Sequence, residues 1–153
     1  MASTPKNEIV MAKALDDLIT LDPAEAFEFS STEILANVYD RLFIANPENP
    51  SEPKKGLVEE WWRSDDGLEY KFSIREGAVF DGGRALTSRD VVFSLRRAVF
   101  LNKTPAFILN QLGLHRGNVE EKIRVLDERS LFLGVDRPYS SSVVLNILSA
   151  ILP

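Results

Sequence analysis

Apolar and polar residues alternate without a break from Leu68 to Arg75, which places Leu68, Tyr70, Phe72 and Ile74 on one face of a half-buried strand. Glu59 to Ser64 reads as its partner, and Asp65-Asp66-Gly67 between them carries the Asp-Gly pair that suits a tight hairpin turn. A second hairpin is predicted where Lys122 to Leu126 and Ser130 to Val135 flank the turn Asp127-Glu128-Arg129. Between the hairpins, Val91, Val92, Leu95, Ala98 and Val99 form an apolar stripe, preceded by Thr87 and Asp90 at capping-box spacing. This predicts a helix from Ser88 to Leu101. Earlier in the chain, Ile34, Leu35, Val38, Tyr39, Leu42 and Phe43 recur at helical spacing, with Ser31 or Thr32 placed to cap the start. The run Ile9 to Ala12 suits a short buried strand. Val143, Val144, Ile147, Leu148 and Ile151 give a closing helical stripe. Three Pro and one Gly within the 11 residues Asn46 to Gly56 predict a linker between two packed parts. The order is mixed α and β, with antiparallel hairpins after the linker.

Composition narrows the chemistry. The 153 residues carry 18 basic and 23 acidic side chains, a formal charge of -5, so no global field exists to hold a phosphate backbone, and no nucleic-acid role is expected. There is no Cys and one His, which removes disulfides, Cys nucleophiles, thiolate metal sites and His-pair metal sites. No catalytic residue, metal or cofactor is expected. The longest uncharged stretch, Pro138 to Pro153, contains four Ser and is too short and polar to cross a bilayer. Met1 to Pro5 lacks the basic-then-apolar pattern of an export signal, and the chain stops within an apolar segment. The expectation is a piece of a longer protein whose closing stripe lacks partners, leading either to self-association or to a carboxyl-terminal segment packed differently from that in longer relatives.

Several residues invite functional readings. Trp61 and Trp62 suit a stacking platform, but one core and one half-exposed tryptophan at a strand start is the stronger expectation. Asp65, Asp66, Glu59 and Glu60 offer paired carboxylates, as a glycoside hydrolase needs. Their place in and beside a tight turn leaves them in water with ordinary acidity, so turn chemistry explains them. His115 sits between glycines and reads as an exposed loop residue. Arg84, Arg89, Arg96 and Arg97 resemble a basic cluster, but Arg89 and Arg96 fall with the acidic Asp90 on the polar side of one helix, and a solvated face is the expectation. The loop from Ala26 to Thr32 has the better claim: Phe27 and Phe29 supply an apolar wall, and Ser30, Ser31 and Thr32 supply hydroxyls ahead of a helix. The rival reading is a hydrophobic staple and a cap.

Taken in order, Leu21-Asp22-Pro23, Val38 to Leu42, Leu57 to Trp61, Ser64 to Phe80 and Asp81 to Ser94 resemble the extracytoplasmic solute-binding proteins of the peptide/nickel/opine class (family 5) of ABC importers. Ile123 to Leu133, followed by Arg137-Pro138, resembles the same family's next hairpin. Gly83 departs from the pattern, standing where the family often has a larger residue. The resemblance implies a partial type II periplasmic-binding-protein fold, the amino-terminal part of lobe I. Residues 1–45 would start its ligand-facing α/β subdomain, 46–137 would form the smaller accessory subdomain, and 138–153 would return toward the first. It implies a periplasmic protein that captures a peptide, opine or similar small polar solute between two lobes and hands it to transporter membrane subunits without chemistry. A structural or interaction domain with the same fold is the alternative. It also implies that the loop holding Phe27, Ser30, Ser31 and Thr32 lines the cleft, and that Phe107 sits where relatives stack an aromatic on ligand.

Overall fold

The computed structural model describes residues 6–10 and 12–151. Its centre is a four-stranded antiparallel sheet in the order β3-β4-β6-β5, built from β3 (Val58–Arg63), β4 (Glu69–Ile74), β5 (Ile123–Val125) and β6 (Ser130–Gly134). The alternation read from the sequence sets its faces. Tyr70, Phe72 and Ile74 are buried, opposite Leu133 and Leu131 on β6. The rings of Tyr70 and Phe72 stack at 6.2 Å. The β3–β4 turn has the expected form: Gly67 takes φ +72, and the Asp66 carboxylate accepts the Leu68 amide at 3.0 Å.

Helix α2 (Ser88–Leu101) covers the inner face of the sheet beside β5 and β6, burying Val91, Val92, Leu95, Ala98 and Val99. Its capping box forms as expected, with the Thr87 amide donating to Asp90 Oδ2 at 2.9 Å. Ahead of it, Gly83 has φ +79, a left-handed conformation that explains glycine at that position. Helices α3 (Ala106–Asn110) and α4 (Val119–Lys122) follow, and α5 (Ser141–Ala150) packs against α3 and β1 (Phe43–Ile44).

Several local expectations are corrected. Helix α1 spans Phe29–Val38 with Glu28 at its N-cap, so Ser31 and Thr32 lie inside the helix, and Thr32 Oγ1 donates back to Glu28 O at 3.0 Å. The helix also stops before Leu42 and Phe43. Both are fully buried, but in an extended segment whose carbonyls are claimed by the next strand: Leu42 O accepts Gly56 N at 3.0 Å and Arg41 O accepts Leu57 N at 2.8 Å. The end of the Pro-rich stretch folds into β2 (Lys54–Lys55), paired with β1. A Cβ on Gly56 would fall 2.2 Å from Arg41 O, so this close approach requires glycine.

The run at Ile9 is not a buried strand. Ile9 and Val10 are 97% and 72% exposed, and none of the described strands lies beside them to supply ladder hydrogen bonds; Met11 lies outside the described residues. Neither tryptophan is a core residue. A bulge at Glu59 shifts the register, so Trp61 lies opposite Phe72 on the core side but at an uncovered edge. Trp62 faces outward under the Lys71 ammonium, 5.0 Å from the ring centroid. The closing stripe has partners after all: Val144, Leu148 and Ile151 are buried, Ile147 packs partly against the core, and Val143 alone of the five is largely exposed. The helix lies on β1 and α3, so the expected drive to self-association loses its stated cause.

Candidate functional site

Two segments far apart in sequence meet at one edge of the molecule. Phe27 ends the turn after Leu21-Asp22-Pro23, and Phe107 opens the first turn of α3. Their rings meet edge to face, with centroids 6.1 Å apart and planes at 74°. Each is about half exposed, Phe27 at 51% and Phe107 at 50%. Beside them is a cavity of about 120 Å³ lined by Phe27, Thr32, Leu35, Arg41, Pro105 and Ile108 among others. Arg41 is its charged lining residue, and its Nη1 donates to Ser149 O at 3.1 Å.

The three hydroxyl residues do not share the exposure of the rings. Ser30 is buried, and its amide donates to Asp17 Oδ2 at 2.9 Å. The Ser30 hydroxyl and amide hold the Asp17 carboxyl below the usual carboxylate range. Ser31 is also buried, and its Oγ has no hydrogen-bond partner among the described residues, a state that ordinarily costs about 1–3 kcal/mol. Thr32 Oγ1 donates to the carbonyls of Glu28 and Phe29, both at 3.0 Å, yet the residue lines the cavity. The exposed surface at this edge is therefore chiefly aromatic.

The turn that delivers Phe27 is organised by Asp22. Its carbonyl accepts the amides of Glu25 at 3.0 Å and Ala26 at 2.8 Å, and its carboxylate accepts the Ala24 amide at 3.0 Å. The same carboxylate receives a fork of two bonds from Arg97 on α2, Nη1 to Oδ1 at 2.7 Å and Nη2 to Oδ2 at 2.5 Å. The Arg97 guanidinium holds the Asp22 carboxyl below its ordinary range, and Asp22 in turn raises Arg97. Sequence reading missed this pair, because nothing local marks a contact between residues so far apart. Besides Arg97, two more of the four arginines are bound rather than simply solvated: Arg84 reaches Asp90 at 3.0 Å, and Arg96 donates to the carbonyls of Ile123 at 2.8 Å and Glu120 at 2.7 Å.

The other candidates are structural. Asp65 and Asp66 are exposed in the turn, and Asp66 is held below its usual acidity range by the Ser64 hydroxyl and then the Leu68 amide, the opposite of what a general acid needs. His115 is an exposed loop residue whose Nδ1 accepts the Gly117 amide at 3.1 Å. Among the described residues, no group of three or more His, Asp or Glu stands close enough to hold a metal ion, and no helix is long and apolar enough to cross a membrane.

The architecture is shared with solved binding proteins. The unliganded open form of MppA, a periplasmic murein tripeptide binding protein, superposes with a TM-score of 0.73 at 22% identity, over 88% of this chain and 28% of that one. The Haemophilus influenzae OppA complex superposes with a TM-score of 0.73 at 20% identity, over the same shares. The chain thus has part of a type II periplasmic-binding-protein fold. Residues 52–153 match the model of the bacterial extracellular solute-binding proteins, family 5, and the chain belongs to that family. The glutathione-binding protein GsiB of Escherichia coli O6:K15:H31 is 30% identical over 148 residues, 97% of this chain and 27% of that protein. The chain spans between 15% and 27% of the length of the curated relatives it matches.

Proposed function

We propose that this chain forms part of lobe I of a solute-binding component of an ABC importer. It captures a peptide, opine or similar small polar solute outside the cytoplasm for delivery to transporter membrane subunits, and it performs no chemistry. Residues 1–45 and 138–153 belong to the ligand-facing subdomain in this reading, and 46–137 to the accessory one. The observation that carries the reading is the half-exposed pair Phe27 and Phe107, an aromatic wall beside a cavity. Thr32 borders that cavity, while Ser30 and Ser31 are buried within α1. Family membership and relatives named for binding glutathione and murein tripeptide favour peptide-like ligands.

A thermal-shift panel of dipeptides, tripeptides including glutathione, and opines, run on the two-lobed protein that contains this chain, tests the reading. A ligand at 100 times its Kd adds about 2.7 kcal/mol to stability. Phe27→Ala and Phe107→Ala should each weaken the hit by about tenfold, or ~1.4 kcal/mol. Stabilisation by no member of the panel would favour a structural or interaction domain with the same fold.

A further inference from the structure

Both rings of the aromatic wall are referenced to one element, α2. Phe107 is tied to it through the chain: α2 is capped by Asn102, which takes the left-handed conformation at φ 52, and α3 begins four residues after this cap with Ala106 fully buried. Phe27 has no such covalent route. Its connection runs through the fork from Arg97 to Asp22 and then through the turn that Asp22 organises with bonds to Ala24, Glu25 and Ala26. Ala24 and Ala26 are buried, so the turn is seated, and Phe27 is the next residue.

We propose that Asp22 and Arg97 are positioning residues for the aromatic wall, their fork-to-fork ion pair fixing where Phe27 stands against Phe107. The inference rests on the proposed ligand-facing role of the two rings, but its first consequence concerns the rings alone. A guanidinium fork constrains a carboxylate in direction as well as distance, whereas a lysine ammonium attracts it as a point charge. Charge without the fork should therefore leave the turn attached but poorly aimed. The pair is only partly covered, with side chains 37% and 30% exposed, so its contribution to global stability is small and its effect is local.

The test uses the full chain with labelled phenylalanine and two variants, Arg97→Lys and Asp22→Asn. In the unaltered chain the rings of Phe27 and Phe107 should show mutual NOEs, and the Ala24, Glu25 and Ala26 amides should be slow to exchange. In both variants the NOEs should vanish and exchange at these three amides should rise by about tenfold, with the β4 amides unchanged as a control for folding. Persistence of the NOEs with unchanged exchange would overturn the proposal, as would an equal loss of protection in β4, which would make the pair a general stabiliser. In the two-lobed protein, with glutathione as probe, Arg97→Lys should weaken binding about tenfold, and it should add nothing in a Phe27→Ala background. Additive losses would show that Arg97 acts by another route. If Phe27→Ala leaves glutathione affinity intact while the ring NOEs still depend on Arg97, the positioning stands and the ligand-facing reading falls.

Discussion

Strand β4 is bonded along both edges by backbone ladders, to β3 and to β6, whereas the turn that presents Phe27 is fastened by the atoms of a single aspartate. The sheet's restraint is distributed over many interchangeable contacts and a continuous apolar face. The turn's restraint is concentrated in one charge-assisted fork and three amides. A distributed restraint fails only when the whole domain unfolds, and a concentrated one can be released while the domain stays folded. The two regions therefore should differ in which mutations and conditions they feel.

The largest effect should come from the sheet. Phe72→Ala removes a ring buried between Tyr70 and Phe43, whose centroid lies 5.8 Å away, and should cost about 3–5 kcal/mol in urea unfolding. A loss under ~1 kcal/mol would mean the sheet is not the stable half of the comparison. Next in size is Thr87→Ala, which breaks the α2 capping box and should cost about 1 kcal/mol.

Acid should separate the regions more cleanly than mutation. Hydrogen bonding from Arg97 holds the Asp22 carboxyl below the ordinary aspartate value of 3.8, against an opposing push from burial; Glu25 and Tyr39 also lie close to Arg97. Because the folded carboxyl is the more acidic, its contribution is fully present above the unfolded value and is lost as pH falls through the folded one. Exchange protection at Ala24 to Ala26 should therefore decline below pH 3.8 ahead of that in β4, with a global cost below ~1 kcal/mol. The smallest effect should be on ligand affinity in Asp65→Asn with Asp66→Asn, expected within about threefold, since exposed turn charges act little at a distance. A hundredfold loss would restore an acidic site.

What the sequence revealed follows the same division. The strand at Tyr70 to Ile74, the turn at Gly67 and the helix opening at Thr87 are all written in local spacing, and they form where that spacing puts them. Phe27 and Phe107 were legible as candidates, but their meeting was not, since it depends on how α2 seats two distant loops. Ser31 and Thr32 look like caps because hydroxyls are good caps. In the structure Glu28 takes that place, and the buried Ser31 Oγ has no partner among the described residues. Leu42 and Phe43 continue a helical rhythm, yet Gly56 and Leu57 claim the carbonyls beside them for a hairpin. Trp61 and Trp62 depend on a bulge, and one inserted residue reverses which side chains face the core.

That bulge also bears on how the open edge of the sheet meets another chain. Strand β3 is an edge of the sheet, with an open row of backbone groups that another extended chain could extend into a fibril-like stack. The extra residue at Glu59 interrupts this row near its start, and the Glu59 side chain is pinned to Arg129 at 2.6 Å. The exposed Glu60 places charge further along the same strand. An irregular, charged rim makes a poor template for strand addition, so the same insertion that aims Trp61 also makes this border ill-suited to pairing with another chain.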